Sequence, residues 1–388
     1  MRSSAGIFLI VLLGGGCYYP PMRTGTRLQP TAELRVRVRL SVAGERVKIS
    51  GAQPVMLVTG NQSQALKSNE SIELVRQVNG YDIVAPGRVW RGVLDTVRLK
   101  SDGPIQVGSQ FYRGEIIAFW LAETGLVVVN ELGLEDYLYS VVPCEIGPIN
   151  PATYQAVKAQ AVAARSFTIS RLGKRMGLGY DLYDSYLRDQ EYRGAGVELA
   201  LARQAVDETR GEVLIYQERV AEALYHGNCG GKTAEGASGY LCSVSDRPHR
   251  SGGAPFCSWS SNFSWQVKIG LDSLERSLAR LKGITGSIRV RSVRVEKERH
   301  SGRAQRLYFQ TDRGTVAVSG NDFRFWLGLK STLIDIQIAG RQVLINGRGW
   351  GHGVGLCQDG AIGMARQGYG YRQILSHYYP RLKLRRWY

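Results

Sequence analysis

Glu145 is the residue in this chain whose setting most suggests chemistry. It ends the run Asp136-Tyr137-Leu138-Tyr139-Ser140-Val141-Val142-Pro143-Cys144-Glu145 and precedes a Gly147-Pro148 loop. A carboxyl at the mouth of an apolar segment loses hydration. That raises its pKa and keeps it protonated near neutral pH, as a general acid requires. The competing reading is a plain loop acid near a helix start, where the helix dipole favours a carboxylate. Downstream, Lys158 and Arg165 lie two helical turns apart and share one face. Ala159, Ala161, Ala163 and Ala164 keep that helix slim, so neighbours can approach and long cations beside them can reach a cleft. The alternative is core packing by the alanines, with solvated cations.

A second stretch is Asn346-Gly347-Arg348-Gly349-Trp350-Gly351-His352-Gly353-Val354-Gly355-Leu356-Cys357-Gln358-Asp359-Gly360-Ala361. Alternate glycines bring backbone close to other groups on both sides. A loop of this kind offers His352 little core, which favours a functional role over a structural hydrogen bond. No Lys-Ser/Thr follows and no βαβ unit begins here, so this is not a phosphate or dinucleotide loop. The third stretch holds His226-x-x-Cys229, Cys242 and Cys257. Ligands this close can hold zinc tetrahedrally, with His226, Cys229 and Cys257 as the candidate set. The competing reading is a disulfide between Cys229 and Cys257, which an exported chain permits. Cys144 and Cys357 fall inside the first two stretches, so a Cys–His enzyme with His352 is conceivable. Nothing in the sequence supplies its orienting partner.

These residues need elements to position them. Leu34, Val36, Val38, Leu40 and Val42 alternate with Arg35, Arg37 and Arg39, the mark of a strand with one buried face. Short strand-like pieces continue, giving an N-terminal β-rich region over 33–125 whose arginines line a solvated or glycan-facing side. Over 126–220, Val127–Leu132 reads as a strand, Glu135–Leu138 as a short helix, Ala152–Arg171 as a strong helix opened by Asn150-Pro151, and Val197–Thr209 as another. Over 221–388, strand patterns return with one short helix near Leu271–Leu281, then the glycine loop and a helix from about Gln358 to Gln367. The fold class is α+β, mostly antiparallel sheets with a few packed helices.

The chain has 388 residues and a formal net charge of +17, a field that favours an anionic partner such as nucleic acid, phospholipid or acidic cell wall. Met1-Arg2, the apolar run Ile7–Leu13 and Gly14-Gly15-Gly16-Cys17 read as a secretory signal over 1–17 with a lipobox-like end. Cys17 is then the lipidation site, and 18–32, rich in Pro, Gly and Thr, a tether. The apolar run is too short to span a bilayer. An exported basic chain meets little nucleic acid, which leaves the wall and anionic lipid as partners. The expected location is the cell envelope, as a membrane-anchored lipoprotein facing the periplasm or wall.

Together these strings resemble the SpoIID/LytB family. The resemblance rests on Val141-Val142-Pro143-Cys144-Glu145, on Lys158-Ala159-Gln160-Ala161-Val162-Ala163-Ala164-Arg165, and on the glycine loop through Gln358. Asp189-Gln190-Glu191-Tyr192-Arg193-Gly194, Thr209-Arg210-Gly211-Glu212-Val213-Leu214, Cys229-Gly230-Gly231-Lys232-Thr233 and Ile374-Leu375-Ser376-His377-Tyr378-Tyr379 carry it further. It covers roughly residues 33–388 and implies a SpoIID-like fold. It also implies a lytic transglycosylase acting on peptidoglycan strands stripped of stem peptides, with Glu145 as the single catalytic acid. Lys158, Gln160, Arg165, Arg193, His352 and Gln358 would contact the glycan. No cofactor is required, though some relatives carry zinc near the active site. This chain lacks the cysteine pair that relatives place around the Asp-Gln-x-Tyr-Arg-Gly element. A second carboxylate, Asp136 or Glu131, would permit hydrolysis instead. Two other readings are a wall-binding protein that stimulates an amidase and a structural lipoprotein. Neither needs Glu145 as an acid.

Overall fold

The computed structural model describes residues 34–42, 44–248 and 253–388. The signal segment, Cys17 and the tether at 18–32 lie outside the described residues. The fold is α+β with mostly antiparallel sheets.

The N-terminal part forms two sheets. A seven-stranded sheet runs in the order Leu182–Tyr183, Arg35–Arg39, Gly125–Gly133, Glu115–Leu121, Val97–Lys100, Val55–Thr59 and Gln62–Leu66. Only the first pairing is parallel. Val36 and Val38 are fully buried while Arg35 and Arg37 point outward, as period-two alternation requires. Those arginines are not merely solvated. Their Nε atoms donate to Glu131 Oε1 and Oε2 at 3.0 and 3.1 Å across the strand pair. The second sheet has six strands, from Gln110–Tyr112 through Arg46–Gly51 to Arg88–Val93.

Three helices follow. Helix α1 spans Leu134–Glu145, with Glu135 and Asp136 in its first turn, where the dipole favours them. It is longer than the short helix expected at Glu135–Leu138, because Pro143 falls in its last turn and removes only one donor near the end. Asn150 and Thr153 form a capping box over Pro151. Helix α2, Tyr154–Arg171, then runs through the main core and buries Ala156, Ala159, Ala161, Ala163 and Ala164. Its small side chains let α1, α3 (Ala200–Glu208) and two later helices pack around it.

Beyond this, Ser264–Gly270 and Gln342–Arg348 pair antiparallel, with Ser264 opposite Arg348. Between them lie α4 (Leu271–Leu281), a three-stranded sheet from Val290 to Ser319, α5 (Gly320–Trp326) and Ile334–Ala339. These elements surround a separate core that includes Leu278, Leu307, Phe309, Phe323, Val343 and Ile345. Helix α5 was not expected. Its signal was Ser319, whose side chain caps by accepting from Asp322 N. After Arg348 the chain returns to the main core through the glycine loop, α6 (Gln358–Arg366) and α7 (Tyr371–Tyr378). No helix among the described residues is long and apolar enough to cross a membrane.

Candidate active site

Glu145 is the last residue of α1 and is partly exposed, with protein around most of its carboxyl. Its Oε1 accepts from Glu191 N at 2.8 Å. The side chains of Tyr225 and Gln358 also hydrogen-bond to it. Burial pushes its pKa up to about 7, and the nearby Glu191 charge adds to the rise, while the hydrogen bonds pull downward. Its place at a helix C-terminus, the negative end of the dipole, also disfavours the carboxylate. The groups that act most strongly on it, Glu191, Tyr225 and Gln358, include no cation.

Each partner is fixed by its own element. Tyr225 lies on the short strand Tyr225–His226, which pairs in parallel with Leu356–Cys357. Its hydroxyl accepts from Gln190 Nε2 at 2.9 Å, and Gln190 Oε1 accepts from Tyr137 at 3.1 Å and Thr168 at 2.7 Å. Gln358 is the first residue of α6, and its Nε2 donates to Gln160 Oε1 on α2 at 3.5 Å. Gln160 is fully buried, and its Nε2 has no partner among the described residues. A buried unpaired donor, one residue removed from the acid through Gln358, is a group left for water.

The glycine loop passes against Tyr225–Gly230 as expected from its alternate glycines. Gly349, Gly351, Gly353 and Gly355 all have positive φ. A Cβ on Gly355 would stand 2.0 Å from Leu224 O, and one on Gly353 would strike the Arg303 guanidinium at 2.4 Å. His352 keeps an exposed edge, but its nitrogens are engaged: Nε2 with Tyr225 O at 2.9 Å and Nδ1 with Val354 N at 3.1 Å. The surrounding protein holds its pKa down, to about 4, so the ring is neutral and props up the strand that carries Tyr225. Arg193 extends into solvent and pairs with Glu191 at 2.8 Å, on the rim of the site.

Several expected contacts are corrected. Arg165 does not reach a cleft. It is fully buried, salt-bridged to Glu135 at 2.7 Å, and bonded to Thr209 and the Val206 and Glu212 carbonyls. Lys158 shares its face, but that face meets α3 and α7. Lys158 pairs with Glu208 at 3.1 Å and lies 4.6 Å from the Tyr371 ring centroid. Of the two second carboxylates expected, Glu131 is held by Arg37 and Arg35, and Asp136 faces Arg113, Glu198 and Arg210. The carboxylate beside Glu145 is Glu191. Neither Cys144 nor Cys357 pairs with His352: burial pushes the Cys144 thiol up to about 11, and Cys357 contacts Cys229, Gly227 and Gly360.

The expected metal set changes as well. His226 Nδ1 is taken by Val354 O at 3.1 Å, and the residue stands outside the cysteine cluster. Cys229 and Cys257 are neighbours, as free thiols, and are joined by Cys357 and Asp246. Tyr225, Gln190, Glu191 and Asp246 are thus the site residues that sequence reasoning missed. Gln190 and Glu191 lie inside the Asp189–Gly194 motif without having been given a role, and Tyr225 adjoins His226, so motif membership and proximity were the available signals. Asp246 carried none. A cleft of about 510 Å³ between Trp265, Asp335 and Arg348 holds none of this constellation.

A carboxyl with a raised pKa, an amide-and-hydroxyl back wall and no ion-paired cation among the described residues can give a proton and take one back. A sequence profile described as Stage II sporulation protein matches residues 122–216, which include Glu145, Gln160 and Gln190. Another, described as a domain of unknown function, matches residues 257–355. An uncharacterized protein of Brachyspira hyodysenteriae is 30% identical over 316 residues, covering 80% of this chain and 81% of that protein. Stage II sporulation protein D of Bacillus subtilis is 26% identical over 296 residues, covering 72% and 82%. The Bacillus subtilis protein named amidase enhancer is 27% identical over 297 residues, covering 63% of this chain and 39% of its own length.

Proposed function

Since the chain belongs to the SpoIID/LytB family, we propose that it cleaves peptidoglycan glycan strands as a lytic transglycosylase, with Glu145 as its one acid–base group. The observation that carries this reading is the Glu145 carboxyl, shielded, uncompensated by a cation and with a pKa near 7. In the first step its proton passes to the glycosidic oxygen between N-acetylmuramic acid and N-acetylglucosamine as the anomeric C–O bond breaks. The resulting carboxylate takes the proton of the muramic C6 hydroxyl, whose oxygen bonds to the anomeric carbon. The product has a 1,6-anhydro ring, no water is consumed, and Glu145 ends protonated again. Tyr225, Gln358 and Glu191 N hold the carboxyl for both transfers and stabilise the interval in which it is charged. Strands lacking stem peptides are the preferred substrate.

The protein acts in the cell envelope, held to the membrane by a lipid on Cys17. The test is product analysis on the full-length chain and its Glu145→Gln variant with peptide-free glycan strands, reading the ends by mass spectrometry. Anhydromuramoyl ends from the wild type alone support the reading. Reducing ends would mean a hydrolase, with Glu191 as the carboxylate to examine next. The similarity to amidase enhancer supports a second reading, a wall-binding partner of an amidase. Glycan binding without cleavage, with a stimulated amidase, would select it.

A further inference from the structure

We propose that Cys229, Cys257, Cys357 and Asp246 bind one structural zinc ion that fixes the wall behind Glu145. The inference stands on these four side chains and is independent of the reaction at Glu145. They come from separate segments: a turn after Tyr225–His226, the loop at Asp246, a short 3-10 turn at Phe256–Trp259, and the residue that caps α6. Their ligand atoms all lie within 4.8 Å of one another, and all four residues are buried. Tetrahedral zinc with Zn–S bonds of about 2.3 Å places its sulfurs roughly 3.8 Å apart. Cys229 Sγ and Cys257 Sγ are 3.6 Å apart.

A disulfide uses two sulfurs and leaves the third buried beside a buried carboxylate. No ion pair reaches Asp246 among the described residues, and a carboxylate sealed in protein without a cation is strongly disfavoured. A divalent ion removes that conflict.

The surroundings match those of a ligand set that carries negative charge. Cys229 N and Gly360 N donate to Cys357 Sγ at 3.2 and 3.3 Å. Cys357 is the N-cap of α6, at the positive end of its dipole. Cys257 N donates to Asp246 Oδ2 at 2.9 Å, and the Tyr378 hydroxyl donates to the other oxygen. The buried Arg303 reaches Cys229 O at 3.0 Å and brings a positive charge to the cluster. Such outer contacts fix ligand geometry. Four protein ligands leave no open position, so the ion is structural. Its role follows from sequence neighbours. Cys357 precedes Gln358, and Cys229 follows the strand bearing Tyr225, so the ion ties together two segments that supply hydrogen bonds to Glu145.

The test is metal analysis of the full-length chain purified without chelator from zinc-supplemented cells, by plasma mass spectrometry. About one zinc per chain is expected. Asp246→Asn and Cys357→Ser should lose it, and Cys144→Ser and Cys242→Ser should keep it. Should the first pair fail to fold, cobalt exchanged into the wild type decides the matter. Thiolate-to-cobalt charge transfer with tetrahedral visible bands supports the site. Folded protein that is metal-free after zinc supplementation overturns it, as does a Cys229–Cys257 disulfide found by peptide mapping.

Discussion

Glu135 and Glu145 stand at opposite ends of α1, the first buried and the second partly exposed, and they differ in what faces them. Glu135 is in the first turn, at the positive end of the helix dipole, and takes Arg165 Nε and Nη2 at 2.9 and 2.7 Å. The Tyr388 hydroxyl donates to it as well. The remaining Arg165 donors are spent on α3 and the segment after it. Glu145 is at the negative end and meets one backbone N–H and two neutral side chains. One helix therefore carries a charged strut at its start and a titratable acid at its end. The matched cation at one end and the neutral partners at the other separate the two roles.

The sharpest way to break this comparison is Glu145→Gln, which keeps the shape and removes the proton. Turnover should fall by a factor on the order of 10²–10⁴ with the fold intact, read by glycan cleavage alongside circular dichroism. Arg165→Met should instead strike stability. It strands Glu135 and should lower unfolding free energy by about 3–5 kcal/mol in urea titrations, while Glu135→Leu added to it should recover most of the loss.

Glu145→Gln should also stabilise the fold. The native pKa of Glu145 is raised above its ordinary 4.5, to about 7. The protonated native form is therefore favoured below about 4.5, and that advantage is lost as pH rises through about 7. Thermal melts should show the variant ahead of wild type above neutrality, by on the order of 2 kcal/mol, with the gap closing in mild acid. For the same reason wild-type cleavage should decline as pH rises through about 7. Tyr225→Phe removes a hydrogen bond that lowers the Glu145 pKa, so that limb should move modestly upward. Lys158→Ala should do least, because its partly exposed pair with Glu208 contributes under about 1 kcal/mol. A large loss of glycan binding there would reopen a groove role for α2.

What the sequence made legible was local. Val36 and Val38 alternate with arginines, and the strand buries that face. Asn150-Pro151 opens the long helix, and the glycines at 349–355 crowd neighbouring backbone. Glu145 was readable because an apolar run leads into it. Periodicity placed Lys158 and Arg165 on one face, but it cannot say what that face meets, and it meets α3. The α1 boundary misled because a proline in the last turn sacrifices only one bond. Glu191, Tyr225 and Asp246 were hidden because long-range folding alone gives them their neighbours. Cys357 reaches Cys229 across most of the C-terminal half of the chain.

The pairing of Ser264 with Arg348 has an architectural consequence. Phe263 O accepts from Gly349 N at 3.1 Å, so the two feet of the intervening segment already touch. Everything between is a detour that leaves the main core and returns to the same place. Lengthening such a detour adds little closure entropy, about 0.6 kcal/mol for each doubling. The segment can therefore be enlarged, trimmed or exchanged with little strain on the surroundings of Glu145, provided that whatever replaces it returns an arginine to the position of Arg303 beneath Gly353 and Cys229 and a carbonyl to the position of Lys330 O, which accepts from Gly351 N.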